Sequence, residues 1–393
     1  MPSSFFSRNW SRLRRTAKLI FEFVRSHWEY PVVKENYPKI YVRLCNLRPR
    51  YRFHLLHILS TLDYDIHYHI DLGNIDSETS DISNFRLSDL PFCKVSMISP
   101  ASKRDFILIS DCIELLQHSQ DWRSRIYVDY DCFGRDDAEF AIPYGMHPAQ
   151  VVRGHSQRLE DLRNRRPRVK FLFAGACQTS EYANPEITDL FGLTPRNILY
   201  DILNDVAKNE ELHVVRSYDA LMNANNPVDL AIIATSDTEK NRIEVDYWMD
   251  VLSSASFFVA GPGICMPMSH NVIEAMSVGT IPIVEYPNLF TPSLNEEAAC
   301  VPFDGRHSFR QVVERCLKLD DDVVESHRQR VLDYYRTYLD VQTVSRKLQS
   351  AVLPSADKSQ TSQRPIRRVS IIAEQESVAA LKGRQSVSAD AGE

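Results

Sequence analysis

The stretch covering residues 251–286, VLSSASFFVAGPGICMPMSHNVIEAMSVGTIPIVEY, restricts most strongly what this chain can fold into. Residues 255–260 form a short apolar run rich in Phe and Val, which reads as a buried strand. Gly261, Pro262 and Gly263 end it, because two glycines and a proline do not continue a strand cheaply. Ser269 is a good N-cap, and residues 270–278 carry apolar side chains at helical spacing. Gly279 stops that helix, and residues 281–285 form a second buried strand. Strand, Gly-rich turn, helix and strand make a βαβ unit. Its helix start offers unpaired N–H groups and the positive end of a dipole, which suits an anion. Glu274 lies one turn inside the helix, where a carboxylate can take two hydroxyls of a ribose. An ordinary structural βαβ unit would look the same.

Strands and helices alternate on both sides of this unit. Residues 40–44, 65–70, 94–98, 106–109 and 125–128 read as strands, and residues 51–62 as a helix with Leu55, Leu56, Ile58 and Leu59 inward. Residues 142–148 (IPYGMHP) read as a connector. Beyond it, residues 169–175 and 229–234 are apolar strands, 195–203 begins a helix, 246–253 is a helix leading into the central stretch, and 299–303 is a last strand. Residues 309–317 and 325–350 read as helices, the second as one long helix. Such alternation predicts parallel, doubly wound α/β sheets, in which ligands sit at the carboxyl ends of the strands. With 393 residues, the chain is long enough for two such domains. The expected division is an N-terminal arm over 1–34, a first α/β domain over 35–150, a second over 151–350, and a disordered tail over 351–393. Within that tail only residues 369–373 (VSIIA) are apolar enough to dock.

Phe258, Pro262, Ser269, the pair Glu274 and Ala275, Gly279 and Pro282 carry a resemblance. They fall where exostosin-type glycosyltransferases, and more loosely other GT-B transferases, have F-x-L-x-P, S-x-R-x-x-E-A and G-x-x-P-V. The resemblance is specific over the central stretch and diffuse over the C-terminal half. It implies a GT-B-like fold, two Rossmann-like domains facing across a cleft, with a nucleotide-diphosphate sugar held by the second. It also implies that a late helix crosses back to brace the first domain. Asn271 stands where the family has Arg, so a cation for the donor phosphates must come from elsewhere. Lys240 and Arg242, on the polar loop before residues 246–253, are the candidates. Gly263, Ser269, His270 and Asn271 would offer N–H groups or an imidazole to the phosphates, and Glu274 would hold the ribose. Arg196 begins a helix, and its analogue in similar transferases often faces the cleft. Met266 stands where many retaining members have Glu.

A general base for the acceptor hydroxyl would come from the first domain. Asp71, Asp129, Asp131 and His147 are the candidates, with Asp131 and His147 put forward. Asp129 and Asp131 also form a DxD pattern able to hold a divalent metal. That is the less favoured reading, and no cofactor beyond the donor is required. His67 and His69, alternating on one strand, read as structural. The expected function is glycosyl transfer from the donor to a hydroxyl of a glycan or polysaccharide. The alternatives are a nucleotide-sugar epimerase or hydrolase of the same fold, and a non-catalytic protein that binds a glycan or a partner.

The net charge of −6 does not suggest nucleic acid. Eight scattered cysteines without CxxC spacing suggest reduced thiols and a cytoplasmic protein. Residues 5–28 are basic and amphipathic. They would either lie on an anionic membrane surface, making the protein peripheral, or pack on its body.

Overall fold

A computed structural model describes residues 14, 17, 37–69, 93–96, 98–130, 138–177, 188–189, 191–209, 211–235, 242–263, 266–353 and 365–371. The basic arm at residues 5–28, apart from Arg14 and Ala17, lies outside the described residues, as do Asp71, Asp131 and Lys240.

In chain order the elements are β1 (Lys39–Arg43), α1 (Pro49–Ser60), β2 (Asp65–His69), β3 (Cys93–Ser96), β4 (Phe106–Ser110), α2 (Ile113–Gln117), β5 (Ser124–Asp129) and β6 (Phe140–Ile142). Then come α3 (Pro148–Val152), α4 (Leu159–Arg163), β7 (Val169–Ala176), α5 (Arg196–Asn209), β8 (Val214–Val215), α6 (Tyr218–Met222), β9 (Val228–Thr235), α7 (Val245–Ser253) and β10 (Ala255–Val259). The last are α8 (His270–Ser277), β11 (Ile281–Val284), β12 (Val301–Pro302), α9 (Gly305–Leu317), α10 (Asp321–Tyr334), α11 (Val341–Val352) and β13 (Arg367–Ile371).

The chain divides into two compact units. One comprises residues 1–142 with 341–373, the other 143–340 with 374–393. The first holds a sheet of order β3-β2-β1-β4-β5-β13-β6, parallel throughout. Alternation sorts its side chains. Ile40, Val42, Ile66, Ile107, Ile109 and Val128 share one face and are buried. On the other, Tyr41, Phe106 and Leu108 pack with Leu116 and Trp122. Leu55, Leu56, Ile58 and Leu59 of α1 are buried, as their spacing predicts. His67 and His69 are structural as read. His67 pairs with Asp65 at 3.0 Å, and the Nδ1 of His69 lies 2.6 Å from the Tyr41 hydroxyl.

Two expectations for the C-terminal part need correction. The long helix over 325–350 is two helices. After α10 a π-helical turn spans Tyr335–Leu339, and the Asp340 N–H donates to the Tyr335 carbonyl at 2.8 Å. Asp340 is extended and stands at the N-cap position of α11, a start signal that the apolar spacing masks. Helix α11 packs on α1, β6 and β13 of the first unit. The tail expected to be disordered supplies β13, which lies between β5 and β6 with Val369 and Ile371 buried. Arg368 of this strand pairs with Asp129 at 3.6 Å and stacks over Tyr127. Averaged composition hid a five-residue strand whose outward side chains are Arg and Ser.

The second unit holds a sheet of order β12-β11-β10-β7-β9-β8, again parallel throughout. Its strands are near-continuous apolar runs because both faces are covered. Phe171, Phe173, Phe257 and Phe258 fill its centre. Together the two sheets give the expected fold class, α/β with two doubly wound, Rossmann-like sheets. No helix among the described residues is long and apolar enough to cross a membrane.

Candidate functional site

In the second sheet β7 is the first strand. The chain then adds β8 and β9 on one side and crosses to add β10, β11 and β12 on the other. The order therefore reverses between β7 and β10. In an open parallel sheet the crevice at the carboxyl ends of those two strands is where ligands bind. The residues gathered there define the candidate site.

Arg196 occupies this crevice. It opens α5 and is 7% exposed. Its guanidinium donates to the Ala176 carbonyl at the end of β7 (3.2 Å) and to the Gly261 carbonyl just past β10 (3.0 Å). Gly261 packs closely on this side chain, since a Cβ there would stand 3.0 Å from the Arg196 Cγ and 3.2 Å from its Nε. Gly175, with φ +125°, gives the backbone its turn on the other side. Glu285, just past β11, holds the loop that delivers Arg196. Its carboxylate accepts from the Thr194 N–H at 2.5 Å, the Thr194 hydroxyl at 2.9 Å and the Gly305 N–H at 2.7 Å.

The start of α8 lies at the same strand end. Ser269 is its N-cap residue, yet its hydroxyl makes no capping bond. The Oγ is buried without a hydrogen-bond partner among the described residues. A buried hydroxyl in that condition calls for a ligand or water. His270 packs its ring on His147, centroids 4.9 Å apart. Arg242 is exposed on the segment that follows β9 and precedes α7, and so is at the carboxyl edge of the sheet.

Three assignments read from the sequence change. Glu274 does not present an open carboxylate. It is fully buried, Oε1 accepting from the His147 N–H at 2.9 Å and Oε2 from the Trp248 indole at 2.6 Å. The carboxylate ties α8 to the segment before α3 and to α7, a structural role rather than a ribose contact. Gly263 does not offer its N–H either, because that group donates to the Pro267 carbonyl at 3.2 Å. A Cβ there would sit 2.5 Å from the Met266 carbonyl, so only glycine fits the turn. His147 belongs to the second unit and caps α3, its Nδ1 accepting from the Ala149 N–H at 3.2 Å. A neutral imidazole has one lone pair. With that pair engaged, the hydrogen of a neutral His147 ring sits on Nε2, which favours a capping role.

The C-terminal end of α8 is fixed as well. Gly279 takes φ +81°, and the buried Arg328 donates to the Val278 carbonyl at 3.0 Å and to the Arg163 carbonyl at 2.7 Å. A cation there complements the negative helix end. Desolvation lowers the Arg328 pKa from its usual value.

No protein-family model matches the chain, and no curated protein matches it significantly in sequence. Among solved structures, Anabaena HepE in complex with UDP is similar, with TM-score 0.40 and 8% identity, over 79% of this chain and 98% of that one. A mutant O-GlcNAc transferase of Thermobaculum terrenum follows, with TM-score 0.38 and 11% identity, over 80% of this chain and 67% of that one. A DNA-modifying β-glucosyltransferase, studied with and without uridine diphosphoglucose, has TM-score 0.36 and 12% identity, over 80% of this chain and 99% of that one. Scores and identities this low transfer no ligand or residue role to this chain.

Proposed function

We propose that the protein is a glycosyltransferase that takes a sugar from a nucleotide-diphosphate sugar and passes it to a hydroxyl of a glycan-type acceptor. The observation that carries this reading is Arg196 lodged across the switch point of the second sheet. It supplies a fixed cation in the crevice, which the sequence lacks at Asn271. The donor diphosphate would lie against Arg196 and the N–H groups that open α8, with the Ser269 hydroxyl as a further donor. Arg242, on the segment between β9 and α7, would add charge from the same edge, and Lys240 is proposed as a further cation. As the glycosidic bond to the diphosphate breaks, negative charge gathers on the leaving oxygens. Preorganised cations and N–H dipoles stabilise that charge more than the ground state. Asp131 is kept as the proposed base for the acceptor proton.

The sealed carboxylate of Glu274 favours a second reading, a non-catalytic protein of this fold that binds a glycan or a partner. Calorimetric titration with a panel of nucleoside diphosphates separates the two. The transferase reading expects saturable binding, weakened about tenfold or more by Arg196→Met when a charge-assisted hydrogen bond is lost. Absence of binding to every diphosphate in the panel would refute it and leave the second reading.

A further inference from the structure

A basic cleft of about 860 Å³ lies on the second unit along α7. Arg153, Arg158, Arg165, Arg166 and Arg168 line it. Its floor is the amino-terminal edge of the sheet, where the Arg168 N–H donates to the Ser254 carbonyl at 2.8 Å. Arg196 stands at the opposite edge, so the cleft is not the donor crevice.

Four of the five guanidinium groups pair with carboxylates. Arg153 pairs with Asp246 at 2.5 Å, while Arg158 and Arg165 share Asp250 at 3.3 and 2.6 Å. Arg166 and the neighbouring Lys170 share Asp321. Among the described residues these five arginines and Lys170 pair with those three carboxylates, an excess of three positive charges in a chain of net charge −6. Like charges lining one cleft repel one another, and an anion entering it relieves that repulsion. The side chains of Arg158, Arg165 and Arg166 are 46, 46 and 89% exposed, so a solute can reach them. Beside them Tyr218 and Tyr247 stack at 5.5 Å and 29°, with Tyr247 half exposed.

We infer that this cleft binds a multiply phosphorylated ring compound, a sugar or cyclitol polyphosphate, either free or as the headgroup of a lipid. Arginine forks match phosphate oxygens two at a time, and the exposed tyrosine face accepts the ring. A singly charged ligand would leave most of the excess charge unmet.

The test is calorimetry of the full chain with inositol hexakisphosphate at physiological salt, and flotation with phosphatidylcholine vesicles carrying phosphatidylinositol bisphosphate or an equal charge of phosphatidylserine. Saturable binding of the soluble probe alone supports a free ligand. Capture by the phosphoinositide vesicles but not the phosphatidylserine ones supports a headgroup. Arg166→Ala with Arg168→Ala should weaken either by about tenfold or more. Tyr247→Ala should weaken it less, and nucleoside-diphosphate binding should not change. A control lacking Arg306 and Arg330, exposed elsewhere on the unit, should bind as the parent does. If neither probe binds, or if the control loses as much as the cleft variant, the inference is overturned.

Discussion

Glu274→Ala is the most informative single change, because the two accounts of Glu274 predict opposite results. The structure gives its carboxylate two protein donors, the His147 N–H at 2.9 Å and the Trp248 indole N–H at 2.6 Å. Hydrogen bonds to a charged group contribute about 1.5–3 kcal/mol each, so alanine should cost about 3–6 kcal/mol. Domains are stable by only about 5–15 kcal/mol, so the urea midpoint should fall steeply. Glu274→Gln keeps the shape and one acceptor but turns an amide N–H toward the other donor. It should cost about half as much, 1.5–3 kcal/mol. Urea melts followed by tryptophan fluorescence measure both, and Trp248 is itself a reporter. Titration of the still-folded variants with nucleoside diphosphate gives the second readout, where no change is expected. An unchanged midpoint combined with lost diphosphate binding would refute the structural account and return Glu274 to the ribose.

Gly261→Ala should push the Arg196 side chain aside, since a Cβ would stand 3.0 Å from its Cγ. Diphosphate affinity should drop about as far as in Arg196→Met, roughly tenfold, and calorimetry on the two variants side by side checks this. In the first unit Ile371→Ala should cost about 2–5 kcal/mol in a urea melt, as a buried aliphatic truncation does. Ending the chain after Leu353 should prevent that unit from folding stably, and a truncated chain with an unchanged melt would rule out β13 as a sheet strand. Burial lowers the pKa of His57 from 6.5 to about 4, so the unfolded chain takes that proton first as the pH falls. The stability it leaves intact above pH 6.5 should be lost between 6.5 and about 4, and His57→Phe should flatten that limb of a midpoint-against-pH curve. Asp65 is raised by desolvation, but hydrogen bonds from His67 and Lys94 outweigh this and bring it from 3.8 down to about 2. Its contribution, about 2 kcal/mol, should be present above pH 4 and lost as the pH falls toward 2, and Asp65→Asn should abolish that lower limb.

What the sequence made legible were features whose cause is local. The strands of a parallel sheet are buried on both faces, so β7, β9, β10 and β11 appear as apolar runs whatever their neighbours are. Helix α8 ends at Gly279, which takes φ +81°, a conformation that glycine adopts without steric cost. The site was legible only as a place. Spacing puts Glu274 one turn into α8, but not which way the carboxylate points. That depends on Trp248 and on His147, 127 positions earlier. Five of the eight residues of α8 besides Glu274 are buried, so the helix is covered nearly all round and a carboxylate inside it needs protein donors. Arg196 could be named from the sequence only through the resemblance, and for a related reason its contacts could not be read there. Its value comes from β10 lying next to β7, an adjacency created when the chain crosses back over its first strand. That crossing brings Gly261, 65 positions onward, against the guanidinium. The cation missing at Asn271 therefore need not be sought in the helix or its preceding loop. Any helix that starts at the carboxyl end of β7 or β10 can deliver one, and Arg196, which opens α5, is the one proposed here for that role.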